Sequence, residues 1–271
     1  MSPIDRTPPT AIRQQLRREV GFGCPVRECG IPYLTWHHFD PPWRDRHHHE
    51  PEGMIALCLL HAGQADAGAF TKEHLQDLKR KAPESAPEIR GELTWMRREV
   101  LALVGGNWYF DTPTILQVGN TPAIAFERDA DGFLLLNLQF PSPAGTPRVK
   151  IEQNFFTVNP DQIADVVCAA RGRTIQIDYA NGDRFRHQYR DIQNQSALMD
   201  RYGPLIDGPI PDQIQFPLTV VEVSERAQGM FDFDADQTRI GGVSMTRSWS
   251  VSNRVGVMIG ASPEQERVWF P

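Results

Sequence analysis

The chain has 271 residues, 40% of them hydrophobic and 23% charged, with a net charge of -6. That balance suits one or two folded domains and argues against a disordered tail or a basic protein that coats nucleic acid. The densest apolar run, Met54 to Leu60, is far too short to cross a bilayer, and the opening MSPIDRTPPT has no apolar signal segment. A cytoplasmic location and no membrane partner are therefore expected. Acidic and basic residues balance over residues 1–85, so the acidic excess belongs to the remainder.

In chain order, AIRQQLRREV (residues 11–20) sets Ile12, Leu16 and Val20 on one helical face. Thr10 is its expected N-cap, and Gly21 and Gly23 end it. Residues 24–61 are short of aliphatics and rich in Cys, His, Pro and Gly, so this stretch needs a staple. FTKEHLQDLKRK follows as a helix capped by Thr71, with Phe70 and Leu75 as a hydrophobic staple and Pro83 as the stop. APESAPE (82–88) reads as a linker. A second helix is expected from Ile89 to Val104, with Leu93, Met96, Val100 and Leu101 near one face and Gly105-Gly106 closing it.

Beyond residue 107 short β-type runs alternate with turns. Asn181-Gly182 marks a hairpin, Asp131-Gly132 a second turn, and Gln195 to Tyr202 one intervening helix. Asn120, Asn137, Asn154 and Asn181 recur loosely near turns, so a β-solenoid and a sandwich are both open. The expected class is α+β: a module over 1–82, a linker and connecting helix over 83–106, and a mostly β domain over 107–271.

Cys24-x4-Cys29 precedes Cys58-x2-His61. Two close pairs of thiolate and imidazole donors separated by a loop suit tetrahedral zinc. With four protein ligands the ion has no open position and its role is structural. Cys168 stands alone and is expected to be a buried thiol. His187, on a strand, is expected to be surface or half-buried. Phe231 to Asp236 starts like a calcium loop, but Gln237 stands where glycine is needed and Val243 where glutamate is, so that site is rejected.

Between the zinc pairs lies YLTWHHFDPPW. This stretch resembles the HNH endonuclease family, whose core is the ββα-metal fold, and the resemblance covers about residues 11–80. Gly21-Phe22-Gly23-Cys24-Pro25 leads into the first zinc pair. His37, His38, Phe39 and Pro41 match the family's core triplet and following proline. Gly53, Met54, Ile55, Ala56, Leu57, Cys58, Leu59, Leu60, His61 and Ala62 match its second half. The resemblance implies that His37 is a ligand of one Mg²⁺ or Mn²⁺ and that His38 is the general base. A neutral imidazole near pH 7 can accept a proton from attacking water, and one hard cation offsets phosphate charge.

Two positions depart from the family. Gly53 replaces an asparagine that braces the loop, and glycine can hold a tight turn there. Ala62 replaces the last metal-binding histidine of the catalytic centre, and alanine cannot ligate. Three readings follow: an introduced inactivating substitution, a naturally dead module, or completion of the site by Asp66 or by one of His47, His48 and His49. The first best matches a single lost ligand among intact landmarks. His47-His48-His49 itself reads as a solvated run. Trp36 and Trp43 are expected to pack the module, with base stacking the sharper alternative. Arg44, Arg46 and Lys79 are candidate phosphate contacts, although a basic loop residue is more often simply solvated.

The implied function is a metal-dependent endonuclease acting on DNA, regulated through a β-rich domain that assembles a homo-oligomer or binds a partner protein. Its organisation is similar to that of bacterial antiphage effectors and toxins. The alternatives are a catalytically dead nucleic-acid-binding module and an oligomeric scaffold.

Overall fold

The computed structural model describes residues 5–85, 88–139, 149–159, 162–169, 172–226 and 231–260. The chain mixes helices with a larger share of strands. It divides into two compact units, Met1–Gly91 with Ile163–Gly172, and Glu92–Gln162 with Arg173–Pro271. Among the described residues, no helix is long and apolar enough to cross a membrane.

Unit 1 begins with α1 (Thr10–Glu19), whose Leu16 and the following Val20 are fully buried. Pro9, not Thr10, is the N-cap: its backbone is already extended (φ -53, ψ 153), so the helix starts one residue early. Thr10 Oγ1 accepts a hydrogen bond from Arg13 Nη2 at 2.9 Å instead. β1 (Leu34–His38) and β2 (Met54–Cys58) pair antiparallel, with Leu34 opposite Cys58 and His38 opposite Met54. Every residue of β2 is buried. α2 (Leu59–Asp66) follows β2 directly, then α3 (Lys72–Ser85). Thr71 Oγ1 accepts from the His74 N–H at 3.1 Å, the cap expected from sequence. The helix runs past Pro83, because a proline in the last turn forfeits one backbone bond of a helix already ending.

A later segment also belongs to unit 1. Asp165, two residues into its strand (Ile163–Cys168), meets Arg17 of α1 in a bidentate pair at 2.8 and 2.6 Å, both residues 7% exposed. Such a pair costs about 3–5 kcal/mol if one partner is removed, because the other charge stays buried.

The helix expected over Ile89–Val104 is two strands, β3 (Ile89–Glu92) and β4 (Leu101–Val104). Between them exposure alternates: Leu93 and Trp95 are buried while Met96 is 62% exposed. That is the two-residue period of extended chain, not a helical stripe. β4 is wholly buried and pairs with two strands, one on either side, a ladder that overrides local helix propensity.

Continuing, β5 (Asn107–Phe110), β6 (Thr114–Val118), β7 (Thr121–Arg128), β8 (Leu134–Gln139), β9 (Val149–Glu152) and β10 (Phe155–Val158) precede the unit 1 strand, β11 (Ile163–Cys168). After it come β12 (Thr174–Tyr179), β13 (Arg184–Ile192), α4 (Gln195–Tyr202), β14 (Leu218–Arg226), β15 (Phe231–Phe233), β16 (Thr238–Ile240), β17 (Val243–Met245), β18 (Trp249–Val251) and β19 (Val255–Ile259). β6 to β10 form an antiparallel meander, with β19 parallel to β6. β12, β13 and β14 form a second antiparallel run, which β4 joins in parallel. Sequential antiparallel pairing rules out a parallel-stacked β-solenoid. The Asn181-Gly182 hairpin is present. Gly182 takes φ 89, and Tyr179 pairs with Asp183 across it. Asn194 caps α4 by accepting from the Ala197 N–H at 2.9 Å.

His187 is not half-exposed. It sits at the centre of β13 between Ile175 and Val223, is 0% exposed, and among the described residues neither ring nitrogen has a hydrogen-bond partner. Burial pushes its pKa down to about 4. The folded chain thus keeps the ring neutral while the unfolded chain takes up a proton below the ordinary value of about 6.5. Stability is expected to fall as pH drops from about 6.5 towards 4, by ~3 kcal/mol from this residue. Denaturant melts of His187→Leu and the parent chain across that range should diverge by this amount, with the variant the flatter. Parallel curves would show that His187 is protonated equally in both states.

Candidate metal centre and histidine cleft

The first cysteine pair lies on a tight knuckle. The Cys24 N–H donates to the Ile31 carbonyl (2.9 Å), the Cys29 N–H to that of Val26 (3.0 Å), and the Gly30 N–H to that of Cys24 (3.2 Å). Gly23 permits the fold-back: a Cβ there would lie 2.7 Å from the Gly30 oxygen. The second pair spans the end of β2 and the first turn of α2. Cys24 Sγ and Cys58 Sγ each lie 3.2 Å from His61 Nδ1, and Cys29 Sγ is 3.9 Å from Cys58 Sγ. All four donor atoms fall within 4.8 Å of one another, a cluster able to hold a metal ion. Burial, reinforced by repulsion from neighbouring cysteines, pushes the Cys24 and Cys29 thiols up, and burial pushes His61 down. A cation reverses the thiol shift by stabilising thiolates. Cys168 is outside the cluster, buried, and its thiol is likewise raised by burial.

The adjacent histidines end β1. His37 is 8% exposed and its Nδ1 lies 3.0 Å from Asp66 Oδ1 at the end of α2. Burial lowers its pKa, and the Asp66 charge opposes that shift. His38 is 4% exposed, with Nε2 3.1 Å from the His48 carbonyl oxygen and Nδ1 without a hydrogen-bond partner among the described residues. Burial first, then His48, brings its pKa down to about 4. Both histidines line a cleft of about 380 Å³ together with Arg6, Trp43, Arg44 and Asp66.

Ala62 lies elsewhere. It is 8% exposed within the apolar core of unit 1 and does not line the cleft. Asp66, one helical turn later, is the α2 residue that reaches His37. Of the expected phosphate contacts, Arg44 lines the cleft and its side chain is 86% exposed, while Arg46 is paired with Glu50. Lys79 is not available to a ligand: it donates to the carbonyls of Pro51 and Met54 and pairs with Glu19 at 2.9 Å. Three partners engage all three donors of an ammonium. Arg6 is a cleft residue that sequence reasoning passed over, since an arginine before the first helix carries no local signal.

Of the run His47-His48-His49, expected to be solvated, His47 is exposed and His49 half-buried, and His48 alone departs from that reading. Trp43 stacks on His47 (ring centroids 4.5 Å apart) and on His49 (5.6 Å), and its ring is 4.6 Å from that of His38. His48 is 5% exposed. No family model, no curated protein and no solved structure matches the chain.

Proposed function

We propose that unit 1 is a zinc-braced endonuclease module of the HNH kind that hydrolyses DNA phosphodiesters. The observation that carries this reading is the convergence of His37 and Asp66 beside His38 in a cleft also lined by Arg6 and Arg44. Three thiolates and one imidazole suit structural Zn²⁺. His37 and Asp66 offer a nitrogen and a carboxylate oxygen to Mg²⁺ or Mn²⁺, which when bound would offset charge on the phosphate. His38, bare at Nδ1, takes the proton from water. Arg6 and Arg44 contact phosphate oxygens. On this reading Asp66 supplies from α2 the ligand that Ala62 cannot. Unit 2 restrains or aims the nuclease through self-assembly or a partner protein, as suits a cytoplasmic antiphage effector or toxin.

One observation favours a second reading, a nucleic-acid-binding module without catalysis. His37 and Asp66 make only two protein ligands, and among the described residues only the Cys24 cluster gathers three or more metal donors. The test is plasmid cleavage with Mg²⁺ or Mn²⁺ by the full chain, Asp66→Ala and Ala62→His. Cleavage by the full chain that Asp66→Ala abolishes is the expected result. Cleavage by Ala62→His alone would make Ala62 the disabling residue. Salt-sensitive DNA binding with no cleavage by any of the three would establish the second reading.

A further inference from the structure

The loop joining β1 to β2 carries His48 near its end, and both ring nitrogens of His48 are engaged. Nε2 lies 2.9 Å from the Pro41 carbonyl oxygen, and the Glu50 N–H donates to Nδ1 at 3.1 Å. A carbonyl can only accept, so Nε2 carries the proton and Nδ1 carries none. The ring therefore ties the start of the loop to its end. That tie leaves the backbone carbonyl of His48 facing His38, 3.1 Å from its Nε2.

The same rule applies to His38. Its Nε2 must hold a proton to donate to the His48 carbonyl, so the neutral ring keeps its lone pair at Nδ1. Among the described residues no other group bonds that atom. The choice between tautomers is thus made by the position of one carbonyl, and that position is set by the His48 side chain. The Trp43 ring, stacked on His47 and His49, lies 4.6 Å from that of His38.

Room for this arrangement comes from Gly53. A Cβ at that position would fall 1.8 Å from the Asp40 oxygen and 3.0 Å from His48 Cε1. The Gly53 carbonyl meanwhile accepts from the Phe39 N–H (2.9 Å) and the Asp40 N–H (3.2 Å), fixing the backbone just after His38. The residue pair is reciprocal: glycine at 53 lets the His48 ring lie close, and the ring braces the loop that a larger residue would otherwise have to brace.

We propose that His48 is the positioning residue for His38, holding it as the Nε2–H tautomer so that Nδ1 is the proton acceptor. This rests on the reading of His38 as the general base. A merely structural role for His48 would affect folding but leave the His38 tautomer unchanged whenever the chain folds.

The experiment is nitrogen-15 NMR of histidine-labelled full chain, with the His38 signals assigned by their loss in His38→Gln, alongside plasmid cleavage. In the parent chain His38 is expected to be protonated at Nε2 and bare at Nδ1. His48→Ala should give a mixture of tautomers and lower kcat roughly 10- to 100-fold with KM little changed. His48→Gln keeps an N–H for the Pro41 carbonyl and should restore most of both. A proton on His38 Nδ1 in the parent chain overturns the proposal, and so does an unchanged tautomer in folded His48→Ala. If His48→Ala does not fold, the parent and His48→Gln spectra decide alone: His48→Gln must keep the parent tautomer. A tautomer that shifts as expected in a chain that never cleaves DNA would sink the nuclease reading and leave the positioning role intact.

Discussion

Removing metal from the Cys24, Cys29, Cys58 and His61 cluster is expected to unfold unit 1. The four donors come from two separate knuckles, which a bound ion joins directly. The unit's core joins Leu16, Val20, Met54, Ile55 and Leu57 to nine other buried residues, Cys24 and Cys58 among them. Structural Zn²⁺ sites bind with an apparent free energy of about 10–16 kcal/mol. A whole domain is commonly stable by only about 5–15 kcal/mol. Loss of the ion therefore exceeds what the core can offset. Without a cation, the buried thiols also return to their protonated forms, which cannot hold the knuckles together. The measurement is metal content per chain, followed by proteolysis and thermal melting with and without a strong chelator. One ion per chain and selective digestion of residues 5–85 on chelation are expected. Cys58→Ala should behave like the chelated protein. Cys168→Ala is the control, because that buried thiol lies outside the cluster and its loss should cost only about 1–2 kcal/mol. Melting unaffected by the chelator, with metal demonstrably gone, would mean that the cluster is not a structural brace.

The second large effect concerns His38. On the proposed nuclease reading, His38→Ala is expected to lower cleavage by about 10²–10⁴-fold with folding and metal content unchanged. The pH profile gives a sharper signature. Burial brings the His38 pKa down to about 4, so the ring stays unprotonated well below the ordinary histidine range. A base must be neutral to accept a proton. The acid limb of kcat is therefore expected well below pH 6.5 and not at it, approaching pH 4 if no other group intervenes. His37, whose pKa is also lowered by burial, moves in the same direction and does not restore the usual limb. An acid limb near pH 6.5 would place a more exposed histidine in the base role. Residual cleavage in His38→Ala equal to that of the parent would remove His38 from the chemistry.

Some of this site could be read directly from the residue order. Cys24-x4-Cys29 and Cys58-x2-His61 are short-range spacings, and a knuckle or a first helical turn can place such donors together with little help from distant chain. His37 and His38 stood out through the resemblance to the HNH core triplet and not through spacing alone. Thr71 as a cap and Asn181-Gly182 as a turn are likewise local. The helix expected from Ile89 to Val104 shows where local reading breaks down. Leu93, Met96, Val100 and Leu101 fit a helical stripe on paper, but β4 is buried between β5 and β14, and β14 lies more than a hundred residues away. His187 was misjudged for a similar cause. Alternation along β13 could not show that both neighbouring strands would cover it.

Residue order by itself determined which donors could share an ion, which turns were tight, and that the later chain would be mostly strand. These depend on covalent reach and backbone preference over a few residues. Tertiary structure alone decided that Asp66 faces His37, that Lys79 is engaged internally, that His48 braces the loop, and that Asp165 belongs with Arg17. Each of those depends on where a buried polar group finds its partner. Burial makes an unpaired charge or N–H costly, and only the folded chain determines which groups are buried together.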